Sequence, residues 1–299
     1  MKVDGVFSGG GVKAFVFIGA LQALEEENIY FERVAGTSAG ALLAALIAAG
    51  YRAKEIKELF LEIEITQFQD QSRLSSALPF LKWVTLYKTM GLYRGGKFEQ
   101  WIERLLKDKG IYTFSDIGLE RLKIVAADIT LNRVIVFPDD LMTAYHINPS
   151  SYSISKALRS SISIPYFFRP SNILNPLTKQ KSLIVDGMIL SNFPIWIFEN
   201  TSGRKERPIL GMQLTSPTPF SNMKQINNSV DLLKAMISTM RRATDQRYIH
   251  KNIADQILFF PVDEVEATDF DIPTNKRADL IVYGYKRTKK FLTKWKNRA

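Results

Sequence analysis

A fold of the α/β class, built on a central and mostly parallel sheet, is what this 299-residue sequence predicts. Two observations carry that expectation. The apolar run at residues 3–7 enters the glycine turn Gly9-Gly10-Gly11, and residues 12–27 follow with Phe15, Ile18, Leu21 and Leu24 at helical spacing. A second run, 33–35, enters Gly36-Thr37-Ser38 and passes into an alanine-rich helix over 39–49 that Gly50 closes. Strand, sharp turn and helix, twice in succession, is how a parallel sheet begins, because parallel neighbours need a crossover between them.

The remaining elements follow in order. Residues 51–63 continue as an amphipathic helix, and 64–95 are less regular, with an apolar stretch at 78–87. Residues 98–106 are helical again. Two strands, 122–129 and 133–137, are joined through Leu131-Asn132 as a hairpin. A short helix over 155–160 stops before Ile164-Pro165, and a buried strand over 182–185 leads directly into Asp186-Gly187. Strands at 209–214 and 256–260 complete the sheet, and helices at about 229–249 and 278–296 cover it. With no internal repeat and no linker rich in Pro, Gly or Ser, one domain over 1–299 is the simplest organisation.

Composition narrows the function. The chain is 46% hydrophobic and 23% charged, as a globular protein is, and it has no cysteine, which excludes disulfides and thiolate metal sites. It opens on strand residues rather than a signal peptide, and its most apolar stretch, 39–51, is too short to span a bilayer, so a cytoplasmic protein is expected. The net charge of +10 favours anionic partners. Zinc-finger spacing, aromatic RNA-binding motifs and basic low-complexity arms are all missing, so no nucleic acid is expected as partner and an anionic lipid surface is the better match.

Ser38 is the candidate nucleophile. A turn from strand to helix in so few residues strains the backbone, needs small neighbours such as Gly36 and Gly40, and lifts the serine hydroxyl to the carboxyl edge of the sheet. The competing reading is a serine that only caps the helix after it. Acyl transfer also needs donors for an oxyanion, and Gly9, Gly10 and Gly11 offer backbone amides with no side chains in the way. The same glycines allow a rival reading as a dinucleotide fingerprint over residues 9–14, with Gly9, Gly11 and Ala14 in phase and Glu32 as the ribose contact. That acid precedes the second strand, whereas a ribose contact belongs at the strand's end.

A serine nucleophile needs a base. The order Ser38, Asp186, His250 fits an α/β-hydrolase triad, but that fold sets its nucleophile after several strands and Ser38 follows the second. His250 lies on a charged helical stretch and His146 in a loop; both read as solvent-facing. Asp186 is the better base, because it ends an apolar strand before Gly187 and should emerge at the same sheet edge as Ser38. Its competing role is to cap an Asp-Gly turn. Asp128, ending another strand, is the second choice and reads rather as a residue that orients loops.

Taken together, Gly9-Gly10-Gly11-Val12-Lys13, Gly36-Thr37-Ser38-Ala39-Gly40, Ala157-Leu158-Arg159 through Ile164-Pro165, and Asp186-Gly187 followed by Ser191-Asn192-Phe193-Pro194 resemble the patatin-like phospholipases. The blocks stand in that family's order across about 3–215, and residues 216–299 would close the same domain. The resemblance implies a three-layer α/β/α domain and a Ser38–Asp186 dyad without histidine. It further implies an oxyanion hole framed by Gly9, Gly10 and Gly11, and hydrolysis of phospholipid or neutral-lipid esters through an acyl-enzyme, with no metal or other cofactor. Gly36, Gly40 and Gly187 support the turns. Met188, where the family has Gly or Ala, is a departure that would narrow the space beside the base, and Ala14 replaces a glycine at the close of the first loop. Two segments suit contact with an anionic membrane: residues 78–87, and the basic C-terminal helix with Ile281, Tyr285, Leu292 and Trp295 on one face.

Overall fold

Burial on both faces makes strands of near-continuous apolar runs, and the runs found in the sequence assemble in this way. The computed structural model describes residues 1–70, 86–199, 207–215, 226–228, 231–232, 235–236, 239, 254–262, 265, 269 and 271–295. Within these, the strands are β1 (Lys2–Phe7), β2 (Tyr30–Thr37), β3 (Gly91–Tyr93), β4 (Leu122–Asp128), β5 (Arg133–Phe137), β6 (Tyr166–Phe168), β7 (Ser171–Leu174), β8 (Lys181–Asp186), β9 (Ile209–Thr215) and β10 (Ile257–Pro261). The helices are α1 (Phe15–Glu26), α2 (Ala39–Ala48), α3 (Ala53–Glu62), α4 (Gly96–Asp108), α5 (Phe114–Ile117), α6 (Asp140–Tyr145), α7 (Ile154–Ser161) and α8 (Thr274–Trp295).

Eight strands form the main sheet in the order β10-β9-β1-β2-β4-β8-β7, with β5 alongside β4. Every pair from β10 to β4 is parallel; β5, β8 and β7 join antiparallel. The sheet is thus mixed and mostly parallel, with helical segments on its faces. One face packs into the larger core through Val3, Phe7 and Val34. Val6 and Ala35, pointing the other way, pack on Phe193 and Ile195. Helix α2 is buried from Gly40 to Ala48, so it is apolar all round.

Several features differ from the sequence reading, the short helices α5 and α6 among them. β2 begins at Tyr30 because the ladder with Lys2 extends it, so Glu32 lies inside the strand. The two-stranded sheet of β3 and β6 and the strand β7 escaped notice, since three or four residues are too few to show alternation. The apolar face of the C-terminal helix is already covered: Ile281, Leu292 and Trp295 are buried, and α8 lies against α1. Gly19 and Gly284 permit that contact, as a Cβ on either would fall within 2.0 Å of the opposite backbone, 1.8 Å from Ile281 O and 1.9 Å from Val16 O. Tyr285 donates its hydroxyl to Glu26, and Lys289 pairs with Glu26 and Glu27.

Residues 78–85 of the apolar stretch, most of the helix expected at 229–249, and His250 lie outside the described residues. No helix among the described residues is long and apolar enough to cross a membrane.

Candidate active site

Register along β4 determines which strand ends meet. β5 occupies one edge of β4 from Ile124 to Asp128. Both β2 and β8 must then use the other edge, β2 along Leu122–Val125 and β8 along Ala126–Asp128. β2 runs parallel to β4 and β8 antiparallel, so their C-terminal ends point at each other. Thr37 pairs with Val125 and Asp186 with Ala126, the next residue. The chain leaves β2 at Ser38, directly in front of Asp186.

Ser38 takes φ 55° and ψ −126°, a strained conformation for a residue with a Cβ. Its neighbours have no room for side chains: a Cβ on Gly36 would lie 2.5 Å from Gly40 C, and one on Gly40 would lie 2.5 Å from Phe7 O. The Ser38 amide donates to Ser161 Oγ at 2.8 Å, and Ser161 Oγ donates in turn to Val125 O at 2.6 Å. Although Ser38 precedes α2, its side chain does not cap the helix. The hydroxyl donates instead to Asp186 Oδ2 at 2.6 Å, out of solvent.

Both carboxylate oxygens of Asp186 are engaged. Oδ1 accepts from the Met188 amide at 2.9 Å, the Asp-Gly turn cap, while Oδ2 takes the serine hydroxyl. Its own amide donates to Ser163 O at 2.9 Å. Gly187 must be small, since a Cβ would lie 2.7 Å from Val125 O. Met188 contributes its amide here, and its side chain is not part of the cavity wall beside Ser38.

The glycine loop passes against the same serine. A Cβ on Gly9 would sit 3.2 Å from Ser38 Cβ and 2.6 Å from Asn192 Oδ1. The Gly9 amide is already engaged, donating to Asn192 O at 3.0 Å, and Asn192 Nδ2 donates back to Gly9 O at 3.4 Å. Among the described residues no acceptor meets the Gly10 and Gly11 amides, and Gly11 lines the cavity with Ser38. Of the three glycines, Gly10 and Gly11 thus keep amides without an acceptor among the described residues, and Gly9 anchors the loop. The N-terminus of α2 adds partial positive charge at Ser38.

The cavity that opens beside Ser38 is apolar. Phe15, Phe60, Phe68, Phe98, Trp101 and Phe168 line it, and among the described residues no charged side chain does. Ring contacts hold the aromatic wall: Phe68 and Phe98 meet edge to face with centres 5.3 Å apart, and Phe68 and Trp101 are tilted at 5.2 Å.

The other candidates are elsewhere. Asp128 is buried; its Oδ1 accepts from the Thr130 and Leu131 amides at 2.8 Å each, and its Oδ2 from the Tyr145 hydroxyl at 2.6 Å. Burial and that carboxylate push the Tyr145 phenol above its ordinary range, so it remains a donor and Asp128 serves to hold the hairpin. His146 is exposed at the end of α6. Glu32 pairs with Lys2 at 2.8 Å, four residues before Gly36 and about 13 Å from the glycine-loop edge of the sheet, which removes the ribose contact of the nucleotide reading.

Sequence reasoning singled out neither Ser161 nor Asn192 individually, and it gave Arg159 no role beyond its motif. Arg159 is buried, and its guanidinium donates to Ser163 Oγ and to the carbonyls of Arg94 and Arg169, the last at 2.8 Å. Burial lowers its pKa, opposed by the charges of Glu99 and Asp70. Through Ser163 it steadies the turn whose carbonyl takes the Asp186 amide.

The family model described as patatin-like phospholipase matches residues 5–199. The chain is 43% identical over 295 residues to the protein YqhO of Bacillus subtilis, covering 99% of each. It is 24% identical over 198 residues to triacylglycerol lipase ptl3 of Schizosaccharomyces pombe, covering 64% of this chain and 38% of that protein. Among solved structures, VipD from Legionella pneumophila shares the fold, with TM-score 0.58 and 19% identity over 98% of this chain and 67% of that one.

Replacing Arg159 by Ala leaves two part-buried carbonyls and a buried hydroxyl without their donor. Urea unfolding should show a loss of about 3 kcal/mol. Arg159→Lys should recover only part of it, because a single ammonium does not reproduce the guanidinium fork. A loss under about 0.5 kcal/mol, the usual range of surface changes, would contradict this role.

Proposed function

The chain belongs to the patatin-like phospholipase family, and from that premise we propose that it is a lipid acyl hydrolase working through a Ser38–Asp186 dyad. The observation that carries the reading is the 2.6 Å hydrogen bond from Ser38 Oγ to Asp186 Oδ2 beside an apolar cavity. In the forward step Asp186 Oδ2 takes the hydroxyl proton as Ser38 Oγ attacks the ester carbonyl. The oxyanion that forms is met by the Gly10 and Gly11 amides, a contribution worth about 10²–10³-fold in rate per donor. Asp186 then protonates the departing alcohol, and an acyl-serine remains. Water, deprotonated by the same carboxylate, hydrolyses that ester and returns Ser38 to its starting form.

The direct contact between hydroxyl and carboxylate supports a dyad over a triad, since in a triad an imidazole stands between the two. The aromatic wall suits the acyl chain of a lipid, and the name of the yeast relative, a triacylglycerol lipase, agrees with that substrate class. A membrane as the source of substrate matches the basic character of the chain.

Hydrolysis of p-nitrophenyl butyrate tests the chemistry. Ser38→Ala and Asp186→Asn should each lower kcat/KM by about 10³-fold or more, a barrier increase of about 4 kcal/mol, while His250→Ala stays within about threefold of the parent. Equal loss in His250→Ala would replace the dyad by a triad.

The cavity gives a second expectation. Across p-nitrophenyl esters from acetate to octanoate, kcat/KM should rise by up to about fourfold per methylene, the equivalent of about 0.8 kcal/mol each, until the wall is filled. A flat or falling series would mean that the acyl chain does not enter it.

A further inference from the structure

Two β-hairpins carry the sheet beyond the dyad. Past Val125, β4 leaves β2 behind, pairs with β8 to Asp128, and turns through residues 129–132 into β5. β8 arrives on that edge from its own hairpin with β7, which turns through residues 175–180. Both turns stand out from the edge of the sheet that holds Ser38 and the glycine loop. They are also joined, since the Ile129 amide donates to Leu183 O at 3.0 Å and the Leu183 amide to Thr130 Oγ1 at 2.9 Å.

These tips expose apolar side chains in an arrangement that solvent alone does not favour. Ile129 is 44% exposed, Leu131 46%, Leu174 55% and Leu177 71%. Single exposed apolar side chains are ordinary, but here Ile129, Leu131 and Leu177 stand on two joined turns and Leu174 ends the strand that enters one of them. The turns are stiff as well. Asn175 Oδ1 accepts from the Leu177 and Thr178 amides at 3.0 and 3.1 Å, and the Asn175 amide donates to Gln180 O at 2.9 Å. Asp128 fixes the other turn as described above. Lys179 and Lys181 are exposed beside the leucines, and neither 129–133 nor 171–185 contains an acidic residue.

We propose that the two joined hairpin tips are the surface by which this protein docks on an anionic phospholipid bilayer. Ile129, Leu131, Leu174 and Leu177 enter the boundary between headgroups and acyl chains, and Lys179 and Lys181 meet the lipid phosphates. This builds on the lipid-hydrolase reading, for which it supplies the contact with aggregated substrate. Helix α8 is the lesser surface, because its apolar face is spent on α1.

Sedimentation of the full chain with phosphatidylcholine vesicles, with and without phosphatidylglycerol, tests the assignment. The variants are Leu131→Ser with Leu177→Ser, and Lys179→Glu with Lys181→Glu; gel filtration and p-nitrophenyl butyrate turnover accompany each. The parent chain should bind the anionic vesicles, and each double variant should bind at least about tenfold more weakly with ester turnover within about twofold. Equal binding by the variants, or no binding by the parent chain, would overturn the proposal. So would a dimer of the parent chain that the leucine variant converts to monomer, which would give the patch to a second copy. Tip-dependent binding by a chain without ester turnover would uphold the docking surface and remove the hydrolase reading.

Discussion

Two strand ends meeting nose to nose on one edge of β4 is the constraint on which the candidate site depends. Once β5 covers the far edge, β2 and β8 must share the near one, and consecutive residues of β4 bring Thr37 and Asp186 together. Ser38, Asp186, Ser161 and Gly187 all take their positions from Val125 and Ala126 or from groups bonded to them. A one-residue slip of β8 would reverse the side on which Asp186 projects. The proposed pairing of Ser38 with Asp186 thus rests on the register of the sheet.

The surroundings suit the chemistry proposed for that junction. Both partners are out of water, where a hydrogen bond between hydroxyl and carboxylate is stronger than in solvent. The cost of burying the carboxylate is offset by the Met188 amide on one oxygen and the serine on the other. On the open side the wall is aromatic and, among the described residues, uncharged, which suits the hydrocarbon chain of the proposed substrate. Beyond it, the exposed leucines and lysines lie on the hairpins formed by β4 with β5 and by β7 with β8, the last of which ends in Asp186.

Much of this was legible because local chemistry demanded particular residues. The Ser38 turn tolerates only small flanking residues, and Gly36 and Gly40 declared it. Asp186 was marked by ending an apolar strand before a glycine. The meeting of the two was not legible from local signals, since it depends on the direction and edge of β8, a long-range register. Ser161 and Asn192 were silent for the same reason: their partners lie 123 and 183 residues away. The α8 periodicity showed an apolar face, which the sequence reading offered to a membrane, but not that α1 covers it. Gly19 and Gly284, two unremarkable glycines in sequence, identify α1 as the cover, because no larger residue allows the backbones so close.

The central claim is that Asp186, acting directly, makes Ser38 a nucleophile. It is tested most directly by the rate at which a fluorophosphonate probe labels the intact protein, with the adduct located by peptide mass mapping. The account predicts one adduct, on Ser38, formed at least about a hundredfold more slowly in Asp186→Asn and at the parent rate in His250→Ala. An adduct on another residue, or a Ser38 rate indifferent to Asp186 and sensitive to His250, would contradict it.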